Sequence, residues 1–367
     1  MSNNFCRFLS NGLALWNDTS NNEVSIAPCC HFKNRQLVNL SIDGSLSNVR
    51  EELKQISDWT DDCLHCKRLE TAGIQSLRQT SFDWIPDVTN NSIHQLDLRL
   101  DINCNAACVI CDNSSSTLWI KEHNKFFNKT IPINTISPEF KIKKIVDSIN
   151  LESLNYIKFY GGEPLFTDAH LQLLRQIKNP ENITLQYTTN GSIYPKEEVL
   201  EVWIKFKLVL FCVSVDGIDQ QFNYIRWPLK WDKLKNNLFK LRNNAPVNVM
   251  FRFEYTVNFL NAFYFKEFEE WVNEHFSINR LGDSVEINIH PYYGIVWNIE
   301  KITDQLYDRI IKKYGKDDKL AKLVSQFNRN EDLKNWRTFV NQWDPIREYK
   351  WQDAFPDLID LYEQSSN

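Results

Sequence analysis

The chain has 367 residues, 43% of them hydrophobic and 24% charged, with a net charge of −5. That balance excludes disorder and collagen-like repeats, and it argues against a nucleic-acid backbone as the main partner. No apolar run approaches the ~18–20 residues of a membrane span, and the first residues lack a signal-peptide pattern, so a cytoplasmic protein without membrane contact is expected.

The first stretch, residues 1–92, is polar, weakly periodic and rich in cysteine. One helix is expected near Asn48–Ile56, with Ser47 as its N-cap. Of nine cysteines, eight fall in the first 111 residues: Cys6, Cys29, Cys30, Cys63, Cys66, Cys104, Cys108 and Cys111. In a reducing compartment such clustering points to metal ligation or catalysis, not disulfides.

From residue 93 the pattern becomes strand, then helix, repeatedly. Strands are expected at Gln95–Asp101, Asn155–Tyr160, Ile183–Thr189, Leu208–Asp216, Val247–Val257 and Val285–His290. Helices are expected at Asp168–Ile177, Lys196–Lys205, Trp231–Arg242 and Phe265–Glu274. This alternation predicts βαβ units and a parallel sheet. The strands also alternate in polarity. Asp97, Arg99, Lys158, Gln186, Thr188, Ser214, Asp216, Arg252, Glu254, Glu286, Asn288 and His290 all lie on the polar parity. With helices on the outer face, the polar face predicts an open, partial six-stranded barrel with a wet lumen. The basic run Lys141–Lys144 reads as a solvated helix face.

Beyond about Trp297 only helices are expected, near Asp304–Lys313, Lys319–Phe327 and Glu331–Trp343. A short final helix starts at Phe355-Pro356. The domains are then a cysteine-rich module at 1–92, the partial barrel at 93–296 and a helical extension at 297–367.

Cys104-x3-Cys108-x2-Cys111 follows the first barrel strand. Three close thiolates can bind three irons of a [4Fe–4S] cubane and leave the fourth open. This triplet resembles the radical SAM superfamily, in which the open iron binds S-adenosylmethionine. Gly161-Gly162-Glu163-Pro164 ends the second strand and is similar to the glycine-rich motif that receives the methionyl amino group. Glu163 has the charge for that role, and the glycines admit close backbone approach. Asn190 in Thr188-Thr-Asn-Gly191, and Ser214 and Asp216 in Ser214-Val-Asp-Gly217, end the next two strands; the resemblance assigns them to the cofactor's ribose. Asn223-Tyr-Ile-Arg226 resembles another family segment. Ile110 stands where the family often has an aromatic residue near adenine.

Cys6, Cys29-Cys30 and Cys63-x2-Cys66 form a second group. By spacing, four of these thiolates serve zinc or a complete cluster equally well. The order, with Glu70, Gly73, Ser76 and Arg78 following and with Asp344, Arg347 and Phe355-Pro356 near the end, is similar to twitch-domain, SPASM-related radical SAM proteins. That resemblance implies an auxiliary [4Fe–4S] cluster on Cys6, Cys63, Cys66 and one of Cys29 and Cys30. Spacing leaves the choice within that pair open. Glu70, Ser76 and Arg78 serve either as caps and ion pairs or as site residues.

The resemblance implies an enzyme that splits S-adenosylmethionine reductively to a 5′-deoxyadenosyl radical, which abstracts hydrogen from a peptide or small polar substrate. A reductant such as flavodoxin or ferredoxin is the implied partner. His290, Arg252 and Glu254 are candidate catalytic residues. Arg252 and Glu254 either pair with each other or grip a substrate carboxylate or amine. Cys212 shares the lumen parity and is expected to pack inertly. The competing readings are a non-catalytic zinc- or cluster-binding interaction protein and an RNA-modifying radical SAM enzyme.

Overall fold

The structure is a computed structural model that describes residues 5–18, 23–32, 36–38, 55–86, 92–128, 130–133, 136–292, 302–327, 333–347 and 350–364. Nine strands form one sheet in the order β3-β2-β1-β4-β5-β6-β7-β8-β9. The expected barrel strands are β4 (Gln95–Leu98), β5 (Tyr156–Phe159), β6 (Thr184–Thr189), β7 (Leu208–Ser214), β8 (Val249–Val257) and β9 (Glu286–Pro291). Each runs parallel to the next. The sheet does not close, so the fold is a partial TIM-like α/β barrel.

Helices return the chain between strands. Thr117–Phe127 and Pro138–Ser148 follow β4, and Ala169–Leu174 follows β5. Glu197–Trp203 follows β6, Asp219–Ile225 and Trp231–Asn244 follow β7, and Phe265–Phe276 follows β8. Their apolar stripes cover the outward parity of the strands. Leu96, Ile157, Leu185, Val209, Phe211 and Phe253 share one buried core with Ile145, Trp203, Leu234 and Phe268. Each such fully buried side chain contributes about 1.5–3 kcal/mol through removal from water.

The N-terminal stretch departs from expectation. It carries three strands, β1 (Gly12–Asp18), β2 (Glu23–Ala27) and β3 (Gln36–Val38). β1 pairs parallel with β4, and β2 turns back antiparallel to β1. The sheet of the barrel therefore continues into this region. β1 escapes a periodicity reading because Leu13, Ala14 and Leu15 are all buried, leaving no polar alternation. Two further helices, Leu64–Thr71 and Leu77–Trp84, carry the second cysteine pair and its flank. The helix expected at Asn48–Ile56 lies largely outside the described residues.

The C-terminal helices Asp304–Tyr314, Lys319–Ser325 and Lys334–Trp343 occur as expected. No described helix is long and apolar enough to cross a membrane.

Candidate cofactor and substrate site

The Cys104–Cys111 loop leaves β4 and is tied down from several sides. Ala107 and Val109 amides donate to the Trp227 and Ile225 carbonyls at 2.7 and 2.8 Å. Trp119 Nε1 donates to the Cys108 carbonyl at 2.8 Å. Ser116, the N-cap of its helix, donates to the Ala106 carbonyl at 2.6 Å. Lys141 Nζ reaches the carbonyls of Arg99 and Leu100 just before the loop. Lys141 is thus buried at 1% exposure, which corrects the reading of Lys141–Lys144 as a solvated face. The unpaired carbonyls past the end of β4 supply its reason: an ammonium satisfies two of them at once. Lys143, on the same helix, does face solvent and pairs with Asp147.

Two guanidinium groups lie against the loop. Arg226 Nη1 stands 3.9 Å from Cys108 Sγ, and its other arm pairs with buried Asp216. Arg347, from the C-terminal extension, donates to the Ala107 carbonyl at 3.0 Å and pairs with Glu122 at 3.1 Å. Its guanidinium lies over Trp343 and Trp119, 4.9 and 5.1 Å from the ring centroids. Burial pushes the Cys111 thiol up to about 12, and Cys104 and Cys108 also move upward for that reason. Iron reverses this by binding the thiolates, and buried cations offset their charge. The donor set and its surroundings therefore fit an iron–sulfur cluster.

Gly161 and Gly162 pack closely against the segment that joins β4 to the cysteines. A Cβ on Gly162 would lie 2.2 Å from the Asn103 carbonyl oxygen, and one on Gly161 would lie 2.6 Å from Arg99 Cγ. Gly161 also has φ +123, open chiefly to glycine. Both residues are small so that the segment between β4 and the cysteines can pack on them. Glu163 is buried. Its carboxylate accepts from Thr189 Oγ1 at 2.6 Å, the Asn190 amide at 2.7 Å and the Leu165 amide at 3.1 Å. Burial raises its pKa, and these three donors oppose the rise. Glu163 thereby joins the end of β5 to the end of β6.

Asn190 Nδ2 donates to Asn105 Oδ1 at 2.9 Å, which ties β6 to the cysteine loop. Ser214 faces the lumen. Asp216 adopts φ 63, uncommon outside glycine, and accepts from the Thr256 amide at 2.7 Å. Burial raises its pKa against the pull of Arg226. Ile110 is half-buried against the core.

In the N-terminal region Cys6, Cys29, Cys63 and Cys66 line one small cavity with Phe32, Leu77 and Arg78. Cys30 turns away. Its amide donates to Asp97 Oδ2 at 3.1 Å, and its Sγ receives Lys158 Nζ at 3.7 Å. The adjacent cysteines therefore face different neighbours, a distinction that spacing leaves open. Glu70, Ser76 and Arg78 form a brace. Arg78 grips both Glu70 oxygens at 2.9 and 2.6 Å, and Ser76 Oγ donates to Glu70 at 2.5 Å. Arg78 Nη1 also holds the Phe5 carbonyl, beside Cys6, at 2.8 Å. Among the described residues no three His, Cys, Asp or Glu side chains converge closely enough to share one metal ion.

The lumen holds a polar cavity of about 220 Å³, lined by Lys158, Gln186, Thr188, Ser214, Arg252, Glu254, Glu286, Asn288 and His290 of the barrel. These are the polar-parity residues. Trp84, stacked on Tyr156 with centroids 4.2 Å apart, and His31 add walls from the N-terminal region. His31 also borders the cysteine cavity, and its ring stacks 4.0 Å from that of His65. Burial keeps both rings neutral, His65 with a pKa of about 3.

Arg252 and Glu254 do not pair with each other. Arg252 pairs with Glu286, its registered neighbour on β9. Glu254 accepts from His290 Nε2 at 2.6 Å and Asn288 Nδ2 at 3.0 Å. Burial opposes ionisation of Glu254, but the His290 bond and the nearby Arg252 and Lys158 outweigh it and hold the carboxyl below its usual range. Cys212 is fully buried beside Tyr156 and Leu210. Sequence reasoning placed Lys158 on the lumen parity but did not single it out, and it missed His31 and Trp84 as lumen walls.

An open barrel of parallel strands thus carries a three-cysteine loop directly after β4. Residues 102–268 match the family model described as the Radical SAM superfamily. Among solved structures, anSMEcpe with bound AdoMet is similar at 16% identity and a TM-score of 0.40, over 60% of this chain and 59% of that one. Streptococcus suis SuiB bound to its precursor peptide SuiA is similar at 12% identity and a TM-score of 0.39, over 88% of this chain and 62% of that one. TYW1 with a lysine–pyruvate adduct gives 14% identity and a TM-score of 0.34, over 61% and 70%. This chain thus spans less than two thirds of the first two. No curated protein matches.

Proposed function

We propose that the chain is a radical SAM enzyme that modifies a peptide or small polar substrate held in the barrel lumen. The observation that carries this reading is the placement of the Cys104–Cys108–Cys111 loop, with Arg226 and Arg347 against it, on a barrel whose interior is polar. The three thiolates would hold a [4Fe–4S] cluster. When bound, that cluster supplies the electron that splits S-adenosylmethionine and so provides a radical for hydrogen abstraction.

The chain's own residues do the rest. Glu163 fixes the relative position of the β5 and β6 ends beside the cysteine loop. Asn190 and Asp216 hold the strand ends that the cofactor would approach. Glu254 fixes the His290 ring through Nε2, which leaves Nδ1 as the second ring nitrogen for a proton. Trp84 and Tyr156 exclude water from one side of the lumen.

The N-terminal group is assigned a second, auxiliary cluster, on Cys6, Cys29, Cys63 and Cys66. A single zinc ion needs its ligands converged on one centre, whereas a cubane spreads four thiolates over four irons. Four cysteines around one cavity, in the order that resembles auxiliary-cluster proteins, support the cubane.

Anaerobic reconstitution followed by iron counting and a 5′-deoxyadenosine assay tests the reading. Roughly eight irons per chain and reductant-dependent 5′-deoxyadenosine are expected. A protein that binds iron but never cleaves S-adenosylmethionine would leave a non-catalytic cluster protein.

A further inference from the structure

The lumen holds two half-buried cations of different standing. Arg252 has Glu286 as its partner, yet the Glu286 side chain is 51% exposed at the rim while that of Arg252 is 16% exposed. Lys158 is more isolated. Its hydrogen-bond partner is Cys30 Sγ at 3.7 Å, and no carboxylate among the described residues comes within ion-pair distance. The Cys30 sulfur and the more distant Asp97 and Glu254 carboxylates outweigh burial and keep Lys158 charged, its pKa moving upward. The carboxylate of Glu254, which borders the same cavity, is already engaged by His290 and Asn288. Donors that face the cavity with N–H or O–H groups to offer a ligand are Lys158, the remaining Arg252 N–H groups, and the Ser214 and Thr256 hydroxyls.

We propose that the lumen selects its substrate by a carboxylate received by Lys158 and Arg252, an inference that rests on the lumen being the substrate site. A singly charged carboxylate suits the cavity better than a phosphate, because Glu254 and Glu286 already place negative charge on its wall and would repel a dianion. A cavity of about 220 Å³ accommodates one amino-acid residue in size. The carboxylate therefore belongs to a free α-amino acid or to the C-terminal residue of a peptide.

Ligand-observed NMR on the reconstituted full-length chain separates these sources. The probes are N-acetyl-glycyl-X dipeptides with a free C-terminus, the same dipeptides as C-terminal amides, and free α-amino acids. Carboxylate probes should bind ~10–100-fold more tightly than the amides, the span of a charge-assisted hydrogen bond. Preference for dipeptide acids identifies a peptide terminus, and preference for free amino acids identifies a metabolite; either supports the proposal. R252Q and K158M should each reduce the acid-to-amide ratio. E286Q, which removes the competing anion, should raise acid affinity, a gain that misfolding cannot produce. Acids and amides bound alike, or neither bound, overturns the proposal. The assay requires neither reductant nor S-adenosylmethionine, so its failure is separate from a failure to form 5′-deoxyadenosine.

Discussion

The two cysteine groups are held by contrasting means. The barrel loop is gripped by main-chain hydrogen bonds and by cations from remote parts of the chain: Lys141 from the first long connection, Arg226 from the end of the β7 helix, and Arg347 from the C-terminal extension. The N-terminal group is held nearer home, by a Glu70–Arg78 fork that also anchors the Phe5 carbonyl. The first arrangement fixes one short loop against the whole barrel. The second gathers cysteines from three separate segments around one short brace. A site built on a rigid barrel can aim chemistry at the lumen, whereas a site built on a brace borders the lumen through His31.

The largest expected effect comes from removing the barrel ligands. C104A/C108A/C111A should abolish 5′-deoxyadenosine formation and take away about one cubane's iron. About four irons and a brown colour should remain, held by the N-terminal group. A colourless protein carrying about one zinc would reassign that group to zinc and leave the barrel chemistry intact. Unchanged cleavage would remove the barrel loop from the mechanism altogether.

Arg347 tests whether the C-terminal extension is part of the barrel site. It is buried, and burial lowers its pKa against the pull of Glu122. R347M leaves Glu122 with only the Trp227 indole donor and removes a tie on the Ala107 carbonyl. Breaking a buried pair from one side costs ~3–5 kcal/mol. Urea unfolding should show a loss of that size, with faster release of the barrel iron to a chelator. A loss below about 1 kcal/mol would mean that the tryptophan cage alone holds the extension in place.

Much of this architecture is legible in the sequence because strand parity is a physical signal. Polar residues spaced two apart along six strands converge on one lumen, as Lys158, Ser214, Glu254 and Asn288 do. Partners across strands are less legible. Same-face residues on one strand, such as Arg252 and Glu254, sit about 6.5–7 Å apart along the backbone, while a registered cross-strand neighbour is closer. Arg252 therefore takes Glu286, and no pattern within β8 announces it. The same reason hides the role of Gly161 and Gly162, whose close partner is the Ile102–Asn103 backbone nearly sixty residues earlier. Adjacent Cys29 and Cys30 differ only in what the fold brings to each side.

Lys141 allows a pH test of the barrel clamp. Burial lowers its pKa from 10.5 to about 7, with Asp101 opposing the shift. The unfolded chain then binds a proton that the folded chain has released between about pH 7 and 10.5. Stability should rise with pH across that window, by about 1.4 kcal/mol per pH unit from this group, and stay flat below it. Urea unfolding of wild type and K141M from pH 6 to 10 isolates the contribution, since the variant should lack that part of the slope. Parallel curves would show that Lys141 stays charged, held by the carbonyls of Arg99 and Leu100.

The smallest effect belongs to the brace. Ser76 caps the Leu77–Trp84 helix by accepting from the Gln79 amide at 3.2 Å, and the Ser76 amide in turn donates to Gln79 Oε1 at 3.0 Å. Its hydroxyl also donates to Glu70. S76A should cost ~1 kcal/mol, the usual worth of such a cap, because the Arg78 fork still satisfies both Glu70 oxygens. The iron retained by the barrel loop should not change, since no tie on that loop passes through Ser76. If S76A instead released barrel iron, the two cysteine groups would form one cooperative unit, and the contrast between a barrel-held and a brace-held site would fail.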